Sequence, residues 1–172
     1  TQLPEVEGAF ISMDPHNGQV RAMVGGFDFG KNKFNHVTQA WRQPGSSFKP
    51  FIYSAALEKG FTPATVVNDA PLYFDASVNG GQPWEPKNFE GTYEGPMPLR
   101  TALMKSKNLV TLRVLQSIGA PYAQDWITKF GFDKELFKVE RKDGVTTVEF
   151  LPAGKKLLKP GATFQYIDFY RN

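Results

Sequence analysis

Ser46 and Lys49 are residues whose types and spacing are suited to nucleophilic chemistry. The breaker Pro44-Gly45 precedes them, and apolar residues then recur at helical spacing, at Phe48, Phe51, Ile52 and Ala55. A helix is therefore predicted to begin at Ser46, and residues three positions apart share one face of a helix. A serine hydroxyl becomes a nucleophile when a neighbour removes its proton, and a lysine held neutral by burial can be that neighbour.

The same pair of residues also has a purely structural interpretation. A serine at the start of a helix is commonly an N-cap, and lysine side chains mostly lie in solvent. Because a pattern as short as Ser-x-x-Lys recurs by chance, the spacing alone leaves the catalytic and the structural interpretations of Ser46 and Lys49 both open.

A second short motif, Ser106-Lys107-Asn108, lies between two predicted helices. On such a loop, the Ser106 hydroxyl can relay a proton to a leaving amine. The Asn108 carboxamide has both a donor and an acceptor, which suits it to holding a peptide amide. The alternative is an ordinary loop in which Ser106 and Asn108 cap the neighbouring helices.

Hydrophobic periodicity and turn residues predict the elements that would position these side chains. A first hairpin is predicted over 6–13 and 19–24, and helices over 46–59, 97–106, 108–118 and 122–130, with a loop-rich stretch over 61–95. A second hairpin is predicted over 136–142 and 145–151, around Asp143-Gly144, and a last strand over 162–170. Strands, then helices, then strands indicate an α+β fold in which an antiparallel sheet is backed by helices.

Composition excludes several classes of function. The chain has 172 residues, the size of one ordinary domain, and its net charge of +3 is spread too thinly for a nucleic-acid footprint. It has no cysteine, which excludes disulfides and thiolate metal sites. His16 and His36 are interpreted as exposed polar residues rather than ligands or bases. No apolar run approaches the ~18 residues of a membrane span, and the abrupt start at Thr1 indicates a piece of a longer protein.

Longer sequence segments around the two motifs resemble those of a known family. Ser-x-x-Lys and Ser-x-Asn are two of the three motifs of penicillin-binding proteins. The accompanying words are 8–15 (GAFISMDP), 18–26 (GQVRAMVGG), 38–40 (TQA), 42–50 (RQPGSSFKP) and 100–103 (RTAL), with Pro86, Asn88, Tyr93 and Gly95. From about residue 7 to about residue 134, the chain resembles the transpeptidase domain of class A penicillin-binding proteins, the bifunctional cell-wall synthases.

The resemblance implies a serine acyl transferase of the penicillin-binding-protein transpeptidase fold. It implies that Ser46 is the acylated nucleophile and Lys49 its base, or part of a base network, while Ser106 relays a proton and Asn108 binds the substrate amide. Ser46 would attack the D-Ala-D-Ala bond of a peptidoglycan stem peptide, and an amine from a neighbouring strand would then form the cross-link. β-Lactams resemble the same unit and would acylate the same serine. No metal or organic cofactor is implied.

The resemblance also implies partners and a location. The ligands would be peptidoglycan stem peptides and β-lactams, and no nucleic acid would be bound. The location would be the bacterial periplasm, on the extracytoplasmic side of the cytoplasmic membrane. A longer parent would be anchored in that membrane and would carry a glycosyltransferase domain, whereas this chain has no span of its own.

The third family motif, Lys-Thr/Ser-Gly, is missing where the family has it. Its nearest approach is Lys159-Pro160-Gly161, in which the proline supplies neither the hydroxyl nor a backbone N–H, so this run is interpreted as a turn. Residues 1–134 are therefore interpreted as a partial transpeptidase-like domain, and residues 135–172 as a divergent β-rich tail of the same domain.

Two alternatives to a transpeptidase enzyme domain stay open at this point. The first is a non-catalytic fragment that only binds or packs. The second is a serine β-lactamase, which would need a deacylating glutamate on a loop after Ser-x-Asn. Glu135, Glu140 and Glu149 follow that motif in surroundings that do not match, and Glu85 precedes it.

The missing third motif predicts slow acylation of the 172-residue chain by itself. Loss of one preorganised polar group commonly slows a reaction by roughly 10²–10³-fold, and here a lysine and a hydroxyl that would bind the substrate carboxylate are both missing. We expect little acylation of the isolated chain and no cross-linking. The measurement is the second-order acylation rate with one β-lactam, compared with a full-length class A relative. Comparable rates would make this interpretation of the tail wrong.

Overall fold

The computed structural model describes residues 5–40, 44–75, 83–132, 134, 137–142 and 145–150. The chain divides into two compact units, Thr1–Arg42 and Gln43–Asn172. The predicted strand over 162–170, the Asp143-Gly144 turn and the run Lys159-Pro160-Gly161 lie outside the described residues.

The first unit contains the predicted hairpin. Strand β1 (Phe10–Met13) pairs antiparallel with β2 (Val20–Val24), so the prediction is confirmed with a later start for β1. The Gly18 N–H donates to the Asp14 carbonyl at 2.8 Å, and Gly18 has a φ of 72°, a conformation that glycine adopts at little cost. The prediction for His36 was wrong, because its ring is half-buried and its Nδ1 lies 2.8 Å from the Gly25 carbonyl oxygen.

In the second unit, the predicted first helix is confirmed with a different start. A 3₁₀ turn covers Gly45–Phe48, and helix α1 follows over Lys49–Glu58. Pro50 lies in the first turn of α1, where a missing N–H is tolerated. Ser46 therefore belongs to the 3₁₀ turn, and Lys49 is the first residue of α1.

The prediction of a loop-rich stretch over 61–95 missed a hairpin. Strand β3 (Val66–Asp69) pairs antiparallel with β4 (Gly95–Pro98), and Asp69 lies opposite Gly95. Between the two strands, Phe74 and Trp84 exchange backbone hydrogen bonds of 2.9 Å. Strand pairing thus joins residues near the two ends of the predicted loop, directly before the next helix begins.

Three more helices complete the helical part, and their predicted existence is confirmed. They are α2 (Leu99–Met104), α3 (Asn108–Ile118), which has its predicted bounds, and α4 (Ala120–Ile127), which is followed by a 3₁₀ turn over Thr128–Phe130. Helix α1 packs against the other three. The shared core is apolar and includes Ile52, Ala55, Ala56, Leu99, Ala102, Val110, Val114 and Ile127.

Polar contacts add to this packing and fix α1 against its neighbours. Tyr53 Oη and Thr111 Oγ1 lie 3.4 Å apart between α1 and α3. The Trp126 indole N–H on α4 donates to Ser54 Oγ on α1 at 2.9 Å. Helix α1, which begins with Lys49, is therefore fixed to both α3 and α4.

The second predicted hairpin is also confirmed. Strand β5 (Phe137–Lys142) pairs antiparallel with β6 (Val145–Phe150), with Phe137 opposite Phe150 and Lys142 opposite Val145. Within the described residues, the strands pair into three two-stranded antiparallel sheets. The small antiparallel sheets and the helices give the α+β class that was predicted.

Candidate active site

The two sequence motifs meet at the side chain of Lys49. This side chain is only 1% exposed, and its Nζ donates to Ser106 Oγ at 2.9 Å, to Asn108 Oδ1 at 2.7 Å and to the Ser106 carbonyl oxygen at 2.5 Å. The structure therefore brings together Lys49, Ser106 and Asn108, three of the four predicted site residues, across 57 or more positions of sequence.

Burial makes the Lys49 amine easier to deprotonate. Removal from water disfavours the charged form and lowers the pKa of Lys49 from 10.5 to about 8, although the nearby negative charge of Glu90 acts in the opposite direction. With a pKa of about 8, roughly one amine in ten is neutral at pH 7. A solvated lysine would be neutral far less often, so Lys49 is suited to proton transfer near neutral pH.

Ser46, the fourth predicted residue, lies one turn before Lys49 on the 3₁₀ turn, and its side chain is exposed. The Lys49 backbone N–H donates to the Ser46 carbonyl oxygen. The exposed hydroxyl is thus open to an incoming molecule.

The structure contradicts the predicted capping role of Ser46 and Asn108 and the predicted solvation of Lys49. The cap positions of the 3₁₀ turn and of α1 are Pro44 and Phe48, neither of which has a side-chain cap hydrogen bond, so Ser46 is not an N-cap. Lys49 is buried rather than solvated. Asn108 is the first residue of α3 rather than its N-cap, and its side chain bonds Lys49 and the Lys87 carbonyl.

Ser106 has a backbone conformation that serine rarely adopts. Its φ is 54°, in the left-handed region. Its N–H donates to the Leu103 carbonyl at 3.0 Å, and the next N–H, of Lys107, donates to the Ala102 carbonyl at 2.9 Å. This pair of bonds is the Schellman arrangement, which usually places glycine where Ser106 stands. The turn directs the exposed Ser106 so that its Oγ meets Lys49.

Asn108 keeps capacity for a substrate in this arrangement. Its Oδ1 accepts from Lys49, and its Nδ2 donates to the Lys87 carbonyl oxygen at 3.0 Å. A carboxamide has two N–H groups and two acceptor lone pairs. One bond to each end therefore leaves room for the amide contact that was predicted for Asn108.

Sequence reasoning missed a second buried lysine, Lys107, which had been treated as the spacer of Ser-x-Asn. It is 3% exposed, and its Nζ lies 2.8 Å from Glu94 Oε1, 3.7 Å from Glu90 Oε2 and 3.8 Å from Asp69 Oδ2. The hydrogen bond that Lys107 donates to Glu94 is the main reason why the pKa of Lys107 is raised above 10.5. Its surroundings thus keep Lys107 charged, whereas those of Lys49 favour loss of the proton.

The described residues were also searched for metal sites and for membrane-spanning helices. No group of three or more histidine, cysteine, aspartate or glutamate residues among them could hold a metal ion. No helix in the described ranges is long and apolar enough to cross a membrane.

Comparison with known proteins identifies the family. The sequence model of the penicillin binding protein transpeptidase domain matches residues 8–150, most of the chain. The chain belongs to this family. The match ends beyond residue 134, where the resemblance was expected to stop, and it includes β5 and β6.

Individual relatives support the assignment of the chain to this transpeptidase family. Penicillin-binding protein 1A of Neisseria lactamica is 49% identical over 151 residues, which are 88% of this chain and 19% of that protein. The crystal structure of penicillin-binding protein 1A from Haemophilus influenzae matches 84% of this chain and 21% of its own, with a TM-score of 0.75 and 39% identity. PonA1 from Mycobacterium tuberculosis in complex with penicillin V matches 81% of this chain and 37% of its own, with a TM-score of 0.61 and 31% identity.

The transpeptidase-family chain thus spans about a fifth of the length of the curated relative from Neisseria lactamica. The predicted division at residue 134 and the predicted roles of Ser46, Lys49, Ser106 and Asn108 stay predictions.

The pKa values of the two buried lysines are predicted to lie on opposite sides of the pKa of an ordinary lysine. In lysine-labelled protein followed by NMR, the Lys49 amine should titrate at about pH 8, because burial disfavours its charge. The Lys107 amine should titrate above 10.5, because the carboxylate of Glu94 stabilises its charge. A Lys49 midpoint near 10.5 would contradict the burial of this amine.

The same shift should appear in folding stability. Between pH 8 and 10.5, the unfolded chain keeps the Lys49 proton and the folded chain releases it, so the free energy of unfolding should rise with pH. Burial raises the pKa of Tyr53 above 10, which lowers stability only above that pH, so unfolding is best compared between pH 7 and 9.5. Lys49→Met should remove the rise.

Proposed function

We propose that this chain carries the acylation site of a peptidoglycan D,D-transpeptidase, a serine acyl transferase that acts on D-Ala-D-Ala stem peptides and is acylated by β-lactams. The observation that carries the proposal is the Lys49 amine, which is buried, has a lowered pKa and is hydrogen-bonded to Ser106 Oγ and Asn108 Oδ1. An exposed serine precedes it by one turn. A base with a pKa near the working pH next to an accessible hydroxyl is what acyl transfer to serine requires.

Acylation would proceed by attack of Ser46 Oγ on the carbonyl carbon of the penultimate D-Ala. Neutral Lys49 would accept the hydroxyl proton as the new C–O bond forms. The tetrahedral intermediate would then collapse as the C–N bond to the terminal D-Ala breaks. The leaving amine needs a proton, and the 2.9 Å bond from Lys49 to Ser106 Oγ offers a route for it. Ser106 would thus return the proton that Lys49 took.

Asn108 would hold the peptide during this exchange. Its position at the start of α3 and its bond to Lys49 place its carboxamide beside the reacting groups. In the second half-reaction, the amine of a neighbouring stem peptide would attack the Ser46 ester, and Lys49 would accept a proton from that amine and donate it to Ser46 Oγ as the C–O bond of the ester breaks. The products would be a cross-linked peptide and the free serine.

The proposed setting follows from the relatives. They are named penicillin-binding protein 1A, and one solved relative is in complex with penicillin V. We place the reaction on the extracytoplasmic side of the bacterial cytoplasmic membrane, where peptidoglycan lies. A longer protein containing this chain would be anchored in that membrane and carry a glycosyltransferase domain.

Labelling with penicillin tests the nucleophile. A fluorescent penicillin incubated with the chain, or with a longer protein that contains it, should form an adduct that peptide mapping places on Ser46. Ser46→Ala should abolish labelling without unfolding, since the Ser46 side chain is exposed. Ser47→Ala is the matched control, because Ser47 is the next residue of the same 3₁₀ turn and is also exposed. An adduct on Ser47, or labelling that survives Ser46→Ala, would refute the assignment.

Replacement of Lys49 by arginine tests the base. Arginine keeps the positive charge but does not lose a proton at accessible pH. Because general-base catalysis is commonly worth 10²–10⁴-fold, Lys49→Arg should slow acylation by about that factor, nearly as much as Lys49→Ala. Lys105→Arg, at an exposed lysine near the same loop, should acylate like the unaltered protein. Acylation of Lys49→Arg at the unaltered rate would rule out the base role.

A further inference from the structure

We infer that Lys107 and Asn88 are positioning residues, which together with the buried carboxylate of Asp69 hold the Ser106–Asn108 segment so that its oxygens meet the amine of Lys49. Their importance for acylation rests on the proposed function. Their effect on the surroundings of Lys49 can be measured without any reaction.

Lys107 anchors the segment to the end of the β3–β4 hairpin. Its neighbours Ser106 and Asn108 are exposed and half-buried, whereas Lys107 is 3% exposed, so its side chain leads away from them into the protein. Asp69 is the last residue of β3, and Glu94 directly precedes β4. Lysines are rarely buried unless they are paired, and these two carboxylates, with Glu90 behind them, provide the pairing.

Asn88 anchors the same segment from the other side, through the backbone of α3. Its Oδ1 accepts from the N–H groups of Asn108 and Leu109 at 3.0 and 3.3 Å. The first N–H groups of a helix have no partner within the helix and usually bond the side chain of the N-cap residue. Here the N-cap residue is Lys107, which makes no side-chain cap bond. Asn88, 20 residues before Asn108, supplies the missing oxygen.

The two anchors are joined to each other by Asp69. Asn88 Nδ2 donates to Asp69 Oδ1 at 2.7 Å and to the Thr92 carbonyl oxygen at 2.8 Å. The other carboxylate oxygen of Asp69 accepts from the Glu94 backbone N–H at 3.0 Å. Asp69 is fully buried and Asn88 is 4% exposed. A buried network whose members all have partners is rigid, so a change in one member should be transmitted to the segment.

This rigidity has a specific use at Ser106. A serine with a φ of 54° persists only where its surroundings hold it there. The residues on its C-terminal side are held by the Lys107 ammonium and by the bonds of Asn88 to Asn108 and Leu109. Without these anchors, the segment can relax to an ordinary backbone conformation, and its oxygens then move away from Lys49.

The test compares Asn88→Ala, Lys107→Met and the control Lys105→Met, with acylation measured in a longer protein that contains the chain and the other quantities measured in the 172-residue chain. Lys105 and Lys107 both bond the carboxylate of Glu94, but Lys105 is 42% exposed and Lys107 is 3% exposed. Three quantities are measured: the titration of the Lys49 amine by NMR, the rate of acylation by a fluorescent penicillin, and the melting temperature. Asn88→Ala changes no charge, so a shift of the Lys49 titration in this variant cannot come from a lost neighbouring charge.

We expect Asn88→Ala and Lys107→Met to raise the pKa of Lys49 from about 8 toward 10.5, because a loosened segment admits water to the amine. Acylation should slow by about 10²-fold, as expected for a small misplacement of reacting groups. Lys105→Met should leave both quantities unchanged. Lys107→Gln, which keeps a polar head that can donate to Glu94, is measured alongside as a milder variant in case a harsher one does not fold.

The outcomes separate the inference from the proposed function. A folded Asn88→Ala or Lys107 variant with a Lys49 pKa of about 8 overturns the inference, whatever its melting temperature, because the residue then serves stability alone. An equal effect of Lys105→Met overturns it too, since the cause would be general charge. If the Lys49 pKa moves as expected but penicillin labels no form of the longer protein, including the unaltered one, the positioning role holds and the proposed function fails.

Discussion

The second unit of this molecule is arranged around the burial of one amine. Lys49 is the first residue of α1, and its ammonium is 1% exposed among three oxygens of the Ser106–Asn108 segment. An ammonium is costly to remove from water, and the hydrogen bonds that it donates to well-placed oxygens offset only part of that cost. The remainder appears as the lowered pKa. The geometry that pairs the two motifs is therefore also the geometry that lowers the pKa of Lys49, as the proposed base role requires.

Such an amine needs firm partners, and the fold provides them from both sides. Helix α1 is packed against the other three helices, so Lys49, its first residue, is held in position. The opposite wall is a loop between α2 and α3, which by itself would be a mobile element. The hairpin of β3 and β4 brings Asp69 and Glu94 beneath this loop, where the Lys107 ammonium lies between their carboxylates. The two lysines thus have opposite electrostatic surroundings, one poor and one rich in carboxylates.

Local sequence patterns predicted the elements but not the connections between them. Helix α3 has its predicted bounds because its leucines and valines recur with a helical period, and Asn17-Gly18 marks the turn of the first hairpin. Strand β4 was missed because Pro96 and Pro98 each lack an N–H, which argues against a strand. The contacts of Asn88 with α3 cross 20 or 21 positions, and no local period encodes such a contact. A lone asparagine in a proline-bounded loop was the only signal available for it.

If Ser106 has its proposed role, folding and chemistry favour different residues at this position. The end of α2 uses a turn whose left-handed position favours glycine, and a serine there costs of order 1 kcal/mol in backbone free energy. Selection for stability alone would favour a glycine at this position, because that change relieves the backbone at once. It would also delete the hydroxyl beside Lys49. Under the proposed function, thermostability and reactivity therefore favour different residues at this helix end, and a substitution of Ser106 that stabilises the fold would slow acylation.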